Sequence, residues 1–200
     1  MSPPPTLRLA TATLVLLLGA APAAATTYRT GEHRLTDRDV ARLDAFERMR
    51  AAALAGARAG GEAADLEVLE AVLGPARGVP GDLELVGRYR CRSIQMDEGL
   101  PLVVYGWFKC AIDNQYAGPH LVKTTGSQMF DGHLGTTDED WRVFWGTASV
   151  SGDAAVAYGR DPERDRVGRF TRIGDGHYRL EFPAPIGGTS FEIVEIEKTR

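Results

Sequence analysis

The chain has 200 residues, of which 44% are hydrophobic, 8% aromatic and 25% charged, which is enough apolar material for one compact core of ordinary size. Its formal net charge is -4, and it has no lysine-rich block, so binding to nucleic acid or to an anionic membrane is not expected. The 23 glycines and 11 prolines are scattered without a period, which excludes collagen-like and low-complexity chains. One folded domain is expected.

The first 25 residues have the layout of a secretory signal peptide. Arg8 is followed by an apolar run over 9–20, and three alanines at 23–25 offer the small side chains that a signal peptidase accepts. About a dozen apolar residues are too few for a membrane span, which takes roughly 20 as a helix. We expect cleavage after Ala25, a mature form without a transmembrane anchor, and a periplasmic or secreted location.

Two helices are predicted next. Thr36 is a typical N-cap, acidic residues occupy the first turn after it, and apolar residues recur at helical spacing before an alanine-rich stretch that ends at position 59. Two glycines interrupt this pattern, and a second helix is predicted over 62–73. We therefore divide the mature chain into an N-terminal helical hairpin with its linker over 26–81 and a β domain over 82–200.

In the β domain, helical periodicity gives way to alternating apolar and polar residues with frequent glycine, which is typical of strands. The strongest hairpin signal is Asp175-Gly176. No helical pattern separates the predicted strands, so consecutive strands must pair antiparallel. The result is a mainly β fold, either an open antiparallel meander or, as we favour, a closed small β-barrel. The predicted strands are 83–95, 102–112, 120–130, 132–136, 141–149, 166–173, 177–182 and 191–197.

Cys91 and Cys110 are the only two cysteines. In an exported chain, such a pair predicts a disulfide bond rather than metal ligands or a nucleophile. Residues that face each other across a hairpin have a constant index sum, and 91 plus 110 gives 201, which centres the turn between Leu100 and Pro101. Both sulfurs then point inward, and the bond stabilises the fold by about 3 kcal/mol. A reactive thiol is the disfavoured alternative, since the sequence places no histidine beside either cysteine.

Several segments resemble one protein family. They are Gly-Arg-Tyr-Arg-Cys-Arg at 87–92, Tyr-Gly-Trp-Phe-Lys-Cys at 105–110, Thr-Gly-Ser-Gln at 125–128 and the stretch 158–168. In this order they are similar to domain of unknown function 4893, a family of exported bacterial proteins, and the resemblance implies no activity. Family members commonly have a basic residue where Met129 stands here, which weakens any anion-binding role for that turn. The first strand is also similar to lipocalin-like and protease-inhibitor barrels, an analogy of fold alone.

The common catalytic and cofactor motifs are absent from the sequence, and no cofactor is expected. Ser127 and Gln128 could supply a nucleophile and an oxyanion donor if a histidine lay in reach. A strand or tight turn is the favoured interpretation, because nothing places a base beside Ser127. His120 and His133, with Asp131 as a third ligand, would form a zinc site only if they met across neighbouring strands. Ordinary surface histidines are favoured, so we predict neither catalytic residues nor a metal site.

Two stretches are candidates for a binding surface. Three arginines alternate along the outer face of the first strand beside two aromatic residues, which is the composition of a protein interface; the floor under the helical hairpin is the favoured alternative. The loop 160–166 carries three acids and, with Arg160, three arginines, a mixture that neutralises itself and holds the loop in place. The candidate binding residues are Arg88, Arg90, Arg92, Tyr105, Trp107, Ser127, Gln128, Arg160, Asp161 and Arg164.

These patterns favour a non-enzymatic binding module that recognises a partner protein or a small ligand. Two alternatives stay open, a hydrolase that uses Ser127 with a histidine base and a purely structural envelope protein. The predicted inward positions mix large side chains with Gly87 and Gly106, which favours a filled barrel interior. Recognition is then expected on the outer wall or at one mouth of the barrel, with the loop 160–166 at its rim.

Overall fold

The computed structural model describes residues 26–185 and 189–199, so the predicted signal peptide over 1–25 lies outside the described residues. The elements, in chain order, are β1 Tyr28–Arg29, α1 Asp37–Asp44, α2 Phe46–Gly60, α3 Ala63–Val72, α4 Asp82–Leu85, β2 Gly87–Met96, β3 Val103–Val104, β4 Phe108–Gln115, β5 Gly118–Lys123, β6 Gln128–Leu134, β7 Thr136–Thr137, β8 Arg142–Val150, β9 Asp165–Gly174, β10 His177–Pro183 and β11 Phe191–Lys198.

Eight of these strands form a closed antiparallel barrel, which confirms the predicted mainly β fold. Neighbouring strands pair in the order β2, β4, β5, β6, β8, β9, β10 and β11, and β11 pairs with β2 to close the barrel. The closing register runs from Phe191 opposite Met96 to Lys198 opposite Tyr89. Closure leaves no free edge on this sheet. The short strand β3 pairs with β2 beyond β4, and β1 pairs with β7 in a separate small sheet.

Four of the predicted strands are wrong in their extent, namely 83–95, 102–112, 120–130 and 132–136. The last is not a strand of its own, because β6 extends to Leu134 and β7 begins at Thr136. The segment 120–130 is not one strand, because a turn at Gly126, with φ of +99°, separates β5 from β6; this backbone conformation favours glycine. The predicted strand 83–95 begins instead with the short helix α4. Its first turn is stabilised by the Glu84 carboxylate, which accepts a hydrogen bond from the Gly81 amide at 2.8 Å.

Cys91 and Cys110 form the predicted disulfide bond, with their Cα atoms 5.9 Å apart. The predicted register is wrong, since Cys91 lies opposite Phe108, and 91 plus 108 gives 199 rather than 201. The reason is that the predicted strand 102–112 is interrupted between β3 and β4, so the two pieces pair with β2 in different registers. A shift of two residues keeps both side chains on the inward face, and the bond therefore spans a diagonal pair.

Large apolar side chains fill the centre of the barrel, including Phe130, Phe144 and Tyr178. Leu85 of α4 joins this core from one end of the barrel. At the same end, the Arg142 guanidinium donates hydrogen bonds to the Pro80 carbonyl oxygen at 2.7 Å and to the Asp82 carboxylate at 2.6 Å. The opposite end, where β5 leads to β6 and β8 leads to β9, is lined by polar side chains and is called the mouth below.

The helices pack on the outside of the barrel. Apolar residues of α2 and α3, such as Leu54 and Leu69, contact Ile94 and Met96 of β2 together with outward residues of β11. The barrel surface on which α2 and α3 pack is therefore apolar. It lies further along β2 than Arg88, Arg90 and Arg92, which the sequence favoured for that surface. The predicted first helix is divided at Ala45 into α1 and α2. None of the described helices is long and apolar enough to cross a membrane.

Candidate functional site

Three charged residues face inward at the mouth. They are Lys123 of β5, Arg166 of β9 and Glu192 of β11. Because side chains alternate along a strand, each lies on the same inward face as the residue two positions further into the barrel, at 121, 168 and 194. All three are buried, with 4%, 6% and 4% of their surface exposed. The Arg166 guanidinium pairs with the Glu192 carboxylate. This inward layer therefore carries one net positive charge, which belongs to Lys123.

Lys123 has neither a hydrogen-bond nor a carboxylate partner among the described residues. Its Nζ lies 4.2 Å from the centroid of the Phe108 ring, a cation–π contact. Burial lowers the pKa of the Lys123 ammonium and the Arg166 guanidinium lowers it further, whereas the Glu192 carboxylate opposes this effect. A buried cation of this kind is costly unless a counter-charge reaches it.

Arg166 also retains a donor without an acceptor. Its guanidinium carbon lies 4.0 Å from the centroid of the Phe182 ring, and its Nε is buried without a hydrogen-bond partner among the described residues. An unsatisfied buried donor costs about 1–3 kcal/mol. The inner layer of the mouth therefore presents more donors than the described acceptors satisfy, and an anion would supply the missing acceptors.

Two cavities open at the mouth, and Gln128 lines both. The smaller, of about 70 Å³, is lined by Lys123 together with Ser93 and Ser127. The larger, of about 390 Å³, is lined by apolar Ala148 and Val150, by two arginines and by four acidic residues, and Lys123 does not line it. A volume of this size lies within the range of small-molecule sites. The mouth thus combines apolar walls with a few convergent polar groups.

The loop between β8 and β9 forms the rim of the larger cavity. Arg164 pairs with Asp153 at 3.1 Å and with Asp161 at 3.4 Å, so the arginine contacts acids of its own loop as the sequence analysis expected. Tyr158 ties the loop to α1, because its hydroxyl donates to the buried Asp39 carboxylate at 2.6 Å. A second link to α1 joins Arg38 and Glu163 at 2.7 Å. The rim is therefore anchored to the helices.

The candidate binding residues from the sequence fall into two groups. One group lines the cavities of the mouth and consists of Tyr105, Ser127, Gln128, Asp161 and Arg164. The other lies on the outer wall of β2 and in the segment before β4, and consists of Arg88, Arg90, Arg92 and Trp107. Arg160 is exposed on the rim loop and lines neither cavity. The structure brings the first group together around one opening and leaves the second outside.

Two of the three arginines on the outer wall are neutralised by carboxylates. Arg90 and Arg92 stack on the Trp107 ring, with guanidinium carbons 4.1 Å and 4.6 Å from its centroid. They pair with Glu197 and Glu195, which lie directly opposite them on β11. Arginine and glutamate in direct opposition stabilise a sheet pair. This wall is therefore a built cross-strand network rather than a row of free cations.

The same acids belong to the cluster most similar to a metal site. His177, Glu195 and Glu197 offer ligand atoms within 4.8 Å of one another, the one such group among the described residues. His177 Nε2 lies 2.8 Å from the Glu195 carboxylate, but Arg92 and Arg90 hold the two carboxylates from the other side. Two guanidinium charges beside the cluster oppose a divalent cation.

The histidines do not surround Ser127. Ser127 is exposed in the turn between β5 and β6 and makes no side-chain hydrogen bond to a histidine within 26–185 or 189–199. His120 does meet His133, with ring centroids 4.9 Å apart. However, the nitrogens of His120 lie 2.7 Å from Asp131 and 3.0 Å from Asp113. These carboxylates raise the His120 pKa, and the hydrogen bond that the Asp131 carboxylate accepts from the ring is the largest cause.

The sequence analysis missed all three charged residues of the inner layer. A signal for them exists, since Lys123, Arg166 and Glu192 each stand two positions from a residue of the inward face. Lys123 lies inside the predicted strand 120–130, so the sequence pattern did not show that a strand ends at this residue. The sequence pattern places Arg166 in a self-neutralising loop and gives Glu192 no role beyond membership of the predicted strand 191–197.

Fold and site together define a disulfide-linked, eight-stranded antiparallel barrel with a packed centre and a polar mouth of net positive inner charge. The chain belongs to the family described as Domain of unknown function (DUF4893), whose model matches residues 32–196. The match covers the helices as well as the barrel and confirms the resemblance of the sequence motifs. Neither a curated protein nor a solved structure matches the chain. The family description names no activity.

Proposed function

We propose that this protein is a non-enzymatic binding protein that holds a small organic anion at the mouth of its barrel. The observation that carries the proposal is Lys123, a cation with 4% of its surface exposed and no carboxylate partner among the described residues. A protein gains no stability from such a group, since burial of an unpaired charge is unfavourable. A bound anion supplies the counter-charge.

Two cavities that share Gln128 support an anion with an apolar body. Lys123 lines the smaller one together with Phe108, whereas the larger one combines Ala148 and Val150 with two arginines and four acids. The acids disfavour an anion in the larger cavity, so we assign the anionic end to Lys123 and the hydrocarbon chain to the wall of Ala148 and Val150. Charge-assisted hydrogen bonds from an ammonium or guanidinium to a carboxylate are stronger than neutral ones. A carboxylic acid with a short hydrocarbon chain therefore fits both the donors and the wall. A purely structural protein has no need for such a convergent site.

The test compares ligands that share one hydrocarbon chain and differ only in their polar end. Hexanoate, hexyl phosphate, hexanol and hexylammonium are titrated into the mature protein by calorimetry, and the midpoint of thermal unfolding is followed in parallel. We expect hexanoate or hexyl phosphate to bind and raise the midpoint, since a ligand that binds only the folded state stabilises it. Binding of hexanol or hexylammonium with equal affinity would overturn the proposal.

A variant pair locates the site. Lys123→Met is expected to weaken binding of the anion by about 10- to 100-fold, the range for loss of a charge-assisted hydrogen bond. Lys109→Met is the matched control, because Lys109 is an exposed lysine on the neighbouring strand β4. Equal affinities of wild type and Lys123→Met would place any binding elsewhere.

We further propose that the protein acts outside the cytoplasm, in the periplasm or as a secreted protein. The predicted signal peptide supports this, and a disulfide bond persists in oxidising compartments. Mass spectrometry of fractionated cells is expected to find a chain that begins at Thr26 in the periplasmic or secreted fraction. An uncleaved chain in the membrane pellet would contradict the proposal.

A further inference from the structure

Lysine is rare in this chain. Lysine and arginine together number 23, and the only lysines are Lys109, Lys123 and Lys198. Lys109 is exposed, and the Lys198 ammonium donates a hydrogen bond to the Glu84 carbonyl oxygen at 3.0 Å. Lys123 alone is buried, and it lines a cavity. An arginine would hold an anion at this position through two hydrogen bonds, but a guanidinium stays protonated, whereas an amine reacts once it loses its proton.

We propose that Lys123 is the nucleophile of a reversible carbonyl-capture site, in which its amine forms an imine with the aldehyde or ketone carbon of an anionic ligand. This inference rests on the proposed function, since the same mouth holds the anionic group. The geometry that carries it is a buried amine over the Phe108 ring, without a hydrogen-bond partner among the described residues, at the wall of an open cavity. Desolvation and a neighbouring cation are the two means by which proteins activate a lysine amine.

Desolvation is the means that operates at Lys123. Burial is the largest cause that lowers the pKa of its ammonium, the Glu192 carboxylate opposes it, and the smaller effect of the Arg166 charge acts with burial. A larger fraction of Lys123 is therefore neutral near pH 7 than of an exposed lysine such as Lys109.

The reaction balances without an oxidant or reductant. Lys123 releases its ammonium proton to solvent, and the lone pair of the amine forms a bond to the carbonyl carbon. The carbinolamine then loses its hydroxyl group, the former carbonyl oxygen, and the proton of its nitrogen as one molecule of water, and a carbon–nitrogen double bond remains. Addition of water reverses these steps and releases the ligand unchanged, so the protein is a carrier and not a catalyst of net turnover.

The test uses two aldehydes with the same four-carbon chain. The mature protein is incubated with succinic semialdehyde, which carries a carboxylate, or with butanal, which does not. Sodium cyanoborohydride reduces each imine to a stable secondary amine, and peptide mass spectrometry measures the label at the three lysines. We expect succinic semialdehyde to label Lys123 at least tenfold faster than Lys109, and at least threefold faster than butanal labels Lys123.

A third protein separates this inference from the proposed function. Lys123→Arg keeps the positive charge but cannot form an imine, so it is expected to bind hexanoate within a few-fold of wild type and to lose the label at this position. If Lys123 reacts no faster than Lys109 while hexanoate still binds, carbonyl capture is overturned and the anion site stands. If both aldehydes label Lys123 equally fast, the reactive amine stands and the anion site is overturned.

Discussion

Replacement of the buried lysine by methionine is expected to make the protein more stable. The side chain of Lys123 is 4% exposed, and burial of an ammonium ion costs several kcal/mol even after relaxation. The Phe108 ring offsets about 1–2 kcal/mol through its cation–π contact, and the Glu192 carboxylate, which also pairs with Arg166, offsets a further part. Methionine keeps the length of the stem without the charge. We expect Lys123→Met to raise the free energy of unfolding by about 1–2 kcal/mol.

The pH dependence of this gain identifies its cause. The pKa of Lys123 is lower in the folded protein than its ordinary value of 10.5, so between these two pKa values the unfolded chain binds more protons and the stability of the wild type rises with pH. Below the folded pKa the penalty is fully present, and above about 10.5 both states are neutral. The advantage of Lys123→Met is therefore largest at neutral and acidic pH and disappears towards pH 10.5.

Urea denaturation between pH 6 and pH 10 measures the effect, with Lys109→Met as the exposed control. At pH 7 the gain corresponds to a rise of about 3–6 °C in the midpoint of thermal unfolding for a domain of this size. The exposed control is expected to change stability by less than about 0.5 kcal/mol. A loss of more than about 1 kcal/mol on Lys123→Met would refute the reasoning, because it would mean that the lysine stabilises the fold and is not kept for a ligand.

Four other substitutions test the framework around the site. Gly146→Ala is expected to destabilise the barrel by about 2–3 kcal/mol, since a Cβ there would lie 2.2 Å from a backbone carbonyl oxygen of β6. Gly56→Ala, where a Cβ meets no atom within 4 Å, should instead stabilise α2 by about 0.5–1 kcal/mol. If the urea midpoints of the two variants moved in the same direction, the packing argument would be contradicted. Tyr158→Phe should cost about 1–3 kcal/mol, because the buried Asp39 carboxylate loses a donor at 2.6 Å; a change below 0.5 kcal/mol would exclude this link as an anchor of the rim. His120 has a raised pKa, so its contribution to stability is complete below its ordinary pKa of about 6.5 and is lost as the pH rises through the folded pKa. The urea midpoint of the wild type should therefore decline over this pH range, and His120→Gln should abolish the decline. A decline that is unchanged in the variant would belong to another group.

Local pattern in the sequence determines much of the barrel. Strand alternation with period two identifies the inward face of β2 and β4, and this face survives the error in register because the two strands are displaced by two residues. For the same reason Cys91 and Cys110 both point inward, and the disulfide bond was predictable. The helices were also predictable from local signals, such as the Thr36 side chain, which accepts a hydrogen bond from the backbone amide of Asp39.

Contacts between distant parts of the chain were decided by the tertiary structure alone. Arg90 and Arg92 appear as free cations in the sequence because their partners, Glu197 and Glu195, lie more than 100 residues further along the chain. Only the pairing of β11 with β2 brings them together. A pattern within one strand shows which face a residue occupies, but not which residue of a distant strand lies opposite.

The charge pairing in the inner layer of the mouth is likewise decided by contacts between distant strands. Alternation places Lys123, Arg166 and Glu192 on inward faces one strand at a time, and each alone resembles a charged residue at the end of a strand. Closure brings the ends of β5, β9 and β11 to one opening, where a single acid lies between two cations and pairs with Arg166, so that Lys123 has no salt bridge of its own among the described residues. The charge of each residue is a property of the sequence, but the imbalance is a property of the closed barrel, because electrostatic energy depends on distances that only the fold sets.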